Sequence, residues 1–182
     1  MRIIAGEFRG RKLLPPVVDV TRPITDRVKQ SLFDILTPRL GGAVVYDCFA
    51  GTGSMGLESL SRGAAHVTFF EKDASALKRL RQNIEALGVQ DRSEVVAGDL
   101  FKWFAHTEPR GSVDLLFFDP PYRFVHAAPL PELMGQLTRH LAPAGIIIFR
   151  HETKDQLPVD FLELIDQRGY GGMIIELLRA RR

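Results

Sequence analysis

The chain has 182 residues, a mass of 20.4 kDa and a formal net charge of +2, enough for one domain, two at most, that folds without disulfides or a structural metal. A single Cys48 excludes a disulfide framework, and no apolar run reaches the ~18 residues that a membrane-spanning helix requires. The N-terminus lacks the apolar stretch and small-residue cleavage site of a secretory signal, so it reads as mature sequence of a soluble, cytoplasmic chain.

The near-neutral total hides a local excess. Eighteen of the 24 basic residues are Arg, and residues 1–30 hold seven Lys and Arg against three acids, a balance of +4 that leaves the rest at −2. Arginine presents a planar fork suited to phosphate and stacks on bases, so an Arg-rich arm beside a near-neutral body points to nucleic acid. Ordinary charge scatter on a solvated surface is the alternative. Arg2, Arg9, Arg11 and Lys12 are interspersed with Gly6 and Gly10, which let such an arm lie close to a backbone partner.

Past a Pro-punctuated stretch, Val28, Leu32, Ile35 and Leu36 share one helical face, with Thr25 or Asp26 as cap. The pattern predicts a helix over about 26–37, stopped by Pro38 and the Gly41-Gly42 pair. Short apolar runs then alternate with helical stretches, the pattern of a parallel sheet covered on both faces. Strands are predicted at 43–48, 66–71, 93–97, 113–118 and 145–149. Helices are predicted from Ser54 to before Gly63, through Leu77, Leu80, Ile84 and Leu87 to a Gly88 cap, and over 130–141. The last segment reads as a helix, a glycine turn at 169–172 and a strand at 173–178. No repeat or long linker appears. The chain divides into a basic arm with the first helix, 1–38, and a main domain, 39–182.

The first strand runs into Asp47-Cys-Phe-Ala-Gly51-Thr-Gly53-Ser-Met-Gly56, a G-x-G-x-x-G placed between strand and helix. Such glycines make a tight turn and let a ligand approach the backbone at a helix N-terminus. The second strand ends at Glu71, 20 residues after Gly51, where a carboxylate accepts from ribose hydroxyls. Nicotinamide dinucleotides and S-adenosylmethionine both want that contact. Asp47 favours S-adenosylmethionine, because it can bind an amino-acid ammonium directly or through water, and NAD has no such group. Asp99, after the third strand, can accept from an adenine amine beside apolar Leu100; its alternative is to cap a helix at 101–106.

Asp119-Pro120-Pro121-Tyr122 follows the fourth strand and faces the same mouth. Two prolines remove N–H donors and stiffen the frame, so the turn presents acceptors. Asp119 and the Pro120 carbonyl can take the two hydrogens of an exocyclic amine while Tyr122 stacks on its base. Pinning those hydrogens localises the nitrogen lone pair toward a sulfonium methyl, so catalysis is chiefly orientation and electrostatics. Taken alone, the tetrapeptide is equally a loop that ends a strand. The five histidines have no metal-ligand spacing, and none is assigned a catalytic role.

M1-RIIAGEFRGRKL, R22-PITDRVKQSLFDIL, D47-CFAGTGSMGLESLSRGA, F70-EKD and F118-DPPY together resemble the bacterial 16S ribosomal RNA (guanine(966)-N2)-methyltransferases of the RsmD family over nearly the whole chain. The resemblance implies a Rossmann-like, class I methyltransferase sheet of seven strands, mostly parallel with the last antiparallel. It implies S-adenosylmethionine as donor and N2 of one guanine in small-subunit rRNA as acceptor, with the enzyme a monomer. Carried over by residue, Asp47, Phe49, Gly51, Gly53, Glu71, Lys72, Asp99, Leu100 and Asp119 contact the cofactor, and Asp119, Pro120, Pro121 and Tyr122 form the catalytic turn. Arg2, Arg9, Arg11, Lys12, Arg22, Thr25, Asp26, Arg27 and Tyr122 face the RNA or wall the site. After the fifth strand the family often has an acid, where this chain has Phe149-Arg150-His151, and no role is assigned there. Rival readings are an adenine-N6 or protein-amide methyltransferase, an NAD-dependent oxidoreductase, and a non-catalytic RNA-binding domain.

Overall fold

A computed structural model describes residues 1–17, 24–121, 130–152 and 160–181. Helix α1 (Asp26–Leu40) is followed by β1 (Val44–Cys48), α2 (Ser54–Ser61), β2 (His66–Glu71), α3 (Ala74–Leu87) and β3 (Ser93–Ala97). Then come α4 (Leu100–His106), β4 (Val113–Phe118), α5 (Leu130–His140), β5 (Leu141–Glu152), β6 (Leu162–Tyr170) and β7 (Met173–Ala180).

The strands form one seven-stranded sheet in the order β3-β2-β1-β4-β5-β7-β6. β1 to β5 pair in parallel, and β7 runs antiparallel to both β5 and β6. Alternate residues feed the two faces. Val45, Phe69, Phe117 and Ile148 pack under α1, α2 and α3, while Tyr46, Phe70, Phe118 and Phe149 pack under α4 and α5. Burial on both sides explains why these strands are continuously apolar in sequence.

Three expectations are corrected. Helix α1 runs through Pro38 to Leu40, because proline so near a C-terminus removes a single hydrogen bond and Leu40, 1% exposed, is drawn into the core. Segment 162–170 is strand β6, not a helix. Gly171 and Gly172, with φ of +54° and +88°, close a two-residue hairpin that pairs Tyr170 with Met173. The fifth strand is also longer than expected, reaching back to Leu141 through an irregularity opposite Val113 and Leu115.

Register positions the site. Cys48 stands opposite both Phe70 and Phe118, and Phe118 stands opposite Phe149. The carboxyl ends of four strands are therefore level, and the residues just beyond them share one rim. Among the described residues, no helix is long and apolar enough to cross a membrane.

Candidate active site

The glycine turn leaves β1 with three residues in left-handed conformations, Phe49 at φ 62°, Gly51 at φ 57° and Gly53 at φ 88°. Its glycines have separate tasks. A Cβ on Gly53 would come within 2.5 Å of Leu80 Cδ1 on α3, and one on Gly56 within 2.3 Å of Phe69 Cε1 on β2, so Gly53 admits close packing of α3 on the turn and Gly56 that of α2 on the sheet. A Cβ on Gly51 would meet nothing within 4 Å. That position opens on the crevice.

Glu71 ends β2 and organises the turn. Its Oε2 accepts from Gly51 N at 2.8 Å, and its Oε1 from Lys72 N and Asp73 N, both at 2.8 Å. Asp47, on β1, is 3% exposed and accepts from Gly56 N at 2.8 Å. Burial pushes its pKa up to about 7, the Gly56 N–H works against this, and Asp119 and Glu71 add to it. Asp47 thus lines the cavity as a buried carboxyl with no ion-pair partner among the described residues. A ligand with an ammonium would supply the missing cation.

Asp99 caps α4, the alternative weighed for it, accepting from Phe101 N at 2.9 Å, and Lys72 Nζ lies 3.8 Å from its other oxygen. Leu100 beside it is buried. Asp119 and Pro120 follow β4, and Asp119 lines the same cavity as Asp47, Phe49 and Gly51. Tyr122 and Arg22 lie outside the described residues, as does His126. His151 stacks on Phe149 at 4.6 Å and its Nδ1 lies 2.8 Å from the Glu152 carbonyl, a structural setting.

The arm docks on the protein's own body. Arg2 and Lys12 form an antiparallel bridge, Ile4 N and Ala5 N donate to Glu58 at 2.8 and 3.0 Å, and Leu14 N donates to Asn83 Oδ1 at 2.8 Å. Gly6 does allow a close approach, but to Ser61 of α2: a Cβ there would sit 1.9 Å from the Ser61 carbonyl oxygen. Arg2 is paired with Asp26 at 2.8 Å, and Arg11 donates to the Ala86 carbonyl at the end of α3 at 2.6 Å. Thr25 caps α1 through Val28 N. Arg9, Lys12 and Arg27 are exposed. Met1 and Pro16 help to wall the cavity.

Arg150, to which the sequence assigns no role, donates through Nη2 to Asp119 Oδ2. The pairing follows from strand register: Phe118 stands opposite Phe149, which puts the next residues, Asp119 and Arg150, side by side.

A mostly parallel sheet with its last strand antiparallel, a glycine turn after β1, an acid ending β2 and an acceptor turn after β4 define an S-adenosylmethionine-dependent methyltransferase. Lone buried Asp47 and open Gly51 fit that cofactor's amino-acid end, and Glu71 and Asp99 its nucleoside end. The dinucleotide alternative gives way, since it leaves Asp47 without a partner.

The profile of the family described as Conserved hypothetical protein 95 matches residues 1–179. Ribosomal RNA small subunit methyltransferase D of Escherichia coli strain K12 is 37% identical over 161 residues, 87% of this chain and 78% of that one. Its Haemophilus influenzae namesake is 38% identical over 125 residues, 68% of this chain and 65% of that one. Among solved structures, Escherichia coli yhhF superposes with a TM-score of 0.85 at 32% identity, covering 99% of this chain and 97% of that one. The chain belongs to this family, the RsmD family of methyltransferases.

Proposed function

We propose that this chain methylates the exocyclic N2 amine of one guanine in 16S rRNA, within the small ribosomal subunit or its assembling precursor, acting as a monomer in the cytoplasm. The arm and α1, to Leu40 rather than to residue 38, form its substrate-facing part, and the rest of the chain the methyl-transferring unit. The observation that carries the reading is that Asp119, an acceptor on a Pro-Pro turn, opens on the same cavity as Asp47 and Gly51. The relatives named as small-subunit rRNA methyltransferases support the substrate class.

S-adenosylmethionine supplies an electrophilic methyl on a sulfonium. The residues of the chain do the rest. Asp47 takes the ammonium, Glu71 takes the ribose hydroxyls while its backbone donors fix its orientation, and Lys72, Asp99 and Leu100 border the adenine. Phe49, at positive φ, packs edge-on against Phe118 with centroids 5.6 Å apart and so ties the glycine turn to the catalytic turn. Asp119 and the Pro120 carbonyl hold the N2 hydrogens, Pro121 stiffens the frame, and Tyr122 stacks on the base. Reaching a base in structured RNA requires that it be unstacked first. The RNA itself contacts Arg9, Lys12, Arg22 and Arg27, while Arg2, Arg11, Thr25 and Asp26 hold the arm and α1 in place.

The test is transfer of labelled methyl to small subunits that lack the modification, with the modified nucleotide mapped. Label at guanine N2 is expected; label at adenine N6 or on protein would overturn the reading. Asp119→Ala should keep affinity for S-adenosylhomocysteine within about threefold and lose at least about 100-fold in transfer, the scale of one oriented electrostatic contact. Wild-type turnover in that variant would remove Asp119 from the mechanism.

A further inference from the structure

Among the described residues of the rim, the Asp119–Arg150 pair is a polar arrangement that the methyl-transfer reading leaves without a purpose. Phe118 and Phe149 are register partners whose rings turn toward α4 and α5, so the residues that follow them turn to the opposite face. There both line the cavity beside Phe117 and Ile148. The Arg150 side chain is 14% exposed and that of Asp119 is 35% exposed. Arg150 bonds Asp119 Oδ2, and among the described residues no donor is seen on Oδ1. Arg150 Nη1 lies 3.9 Å from the Met173 sulfur on β7, which steadies the guanidinium from the far side. An acceptor and a fixed donor thus stand next to each other in the wall of the cavity.

Arginine carries N–H donors and no acceptor, so whatever part of the base lies against it must accept. Guanine N2 is flanked by N1–H, a donor, and by N3, an acceptor. Only the N3 side suits a guanidinium; the N1 side would set donor against donor. We infer that Arg150 is a specificity-determining residue that donates to guanine N3 while Asp119 accepts the neighbouring N2 hydrogen, fixing which edge of the base enters the site. The Pro120 carbonyl then takes the second N2 hydrogen, on the N1 side. Two parallel hydrogen bonds, both charge-assisted, fix the base edge and so orient the amine for the approaching methyl. This inference rests on the guanine-N2 reading and adds the edge that is read.

The test uses reconstituted small subunits whose rRNA carries either guanosine or 3-deazaguanosine at the modified position, the latter replacing N3 by C–H and leaving N2 intact. The wild-type enzyme should show kcat/KM roughly 10- to 100-fold lower on the deaza substrate, the range for one hydrogen bond to a charged group. Arg150→Met should fall on both substrates, because Asp119 loses its partner, but further on guanosine, bringing the ratio to within about threefold, and Arg150→Lys should recover part of that ratio. A purely structural role would lower both substrates alike and keep the ratio, which overturns the inference, as would equal wild-type rates on the two. Melting temperatures of the variants separate misfolding from lost recognition. Failure of the wild type to methylate guanosine N2 at all would overturn the parent reading and this one together, an outcome distinct from transfer without discrimination.

Discussion

Asp47 is where folding and ligand binding pull hardest against each other. Its carboxyl is buried, and holding it ionised without a cation is unfavourable on the order of 4 kcal/mol, given a pKa raised from 3.8 to about 7. The unfolded chain releases this proton near pH 4 and the folded chain near pH 7, so in that interval the folded state binds more protons. Stability therefore declines as pH rises from about 4 to about 7 and is level beyond. Asp47→Asn abolishes that slope, and urea unfolding should find the variant more stable than wild type at pH 8, with little difference at pH 4. Binding moves the other way. A cationic ligand needs the ionised acid, so calorimetric affinity for S-adenosylhomocysteine should rise between pH 6 and 8 in the wild type. In the variant it should lose that rise and weaken by about tenfold or more. A variant with unaltered affinity and pH profile would show that Asp47 serves the glycine turn alone, through Gly56 N.

Between the arm, α1 and α2 lies a buried ionic staple. Lys29, 1% exposed, meets Glu58, 0% exposed, at 3.1 Å and donates to the Arg2 carbonyl at 2.7 Å. Glu58 also accepts from Ile4 N, Ala5 N and, at 2.8 Å, Arg62 Nε. Burial lowers the Lys29 pKa and Glu58 opposes it. Glu58→Ala leaves a buried ammonium and two backbone N–H groups without their acceptor, and about 3–5 kcal/mol of stability should be lost in denaturant titration. Trypsin should then cut after Arg9 or Arg11 under conditions where the wild type resists. A loss below about 1 kcal/mol would mean that the arm docks by Ile3 and Leu13 alone. Nothing in the sequence announces this staple, because Lys29 and Glu58 are far apart in the chain and each looks like a surface residue of its own helix. The sheet was legible because strands buried on both faces write themselves as apolar runs. Strand β6 was not, since a sheet-edge strand with an irregularity at Ile165 breaks strict alternation; the Gly171-Gly172 hairpin was its better signal. At the site the motif residues were legible as positions, whereas the Asp119–Arg150 pairing needed the register of two strands.

At the scale of the whole molecule, a net +2 is distributed so that the basic excess lies in residues 1–30, the segment that also walls the cavity through Met1 and Pro16. Substrate charge and substrate base are thereby met on one rim, and the geometry sorts the arm's cations. Arg2 and Arg11 are engaged with Asp26 and the Ala86 carbonyl, whereas Arg9 and Lys12 are exposed and make no ion pair among the described residues. If the arm meets RNA phosphates, the two sets should separate in a salt titration. Arg9→Ala with Lys12→Ala should weaken binding to small subunits and reduce the slope of log affinity against log salt by about 1.5, near 0.7–0.9 for each contact removed. Arg11→Ala should change that slope less and lower the melting temperature instead, because it strips a donor from the end of α3. Affinity for S-adenosylhomocysteine should be unaltered by the double substitution, since neither side chain lines the cavity. An unchanged slope would assign phosphate contact to other cations and leave the arm as a wall of the crevice only.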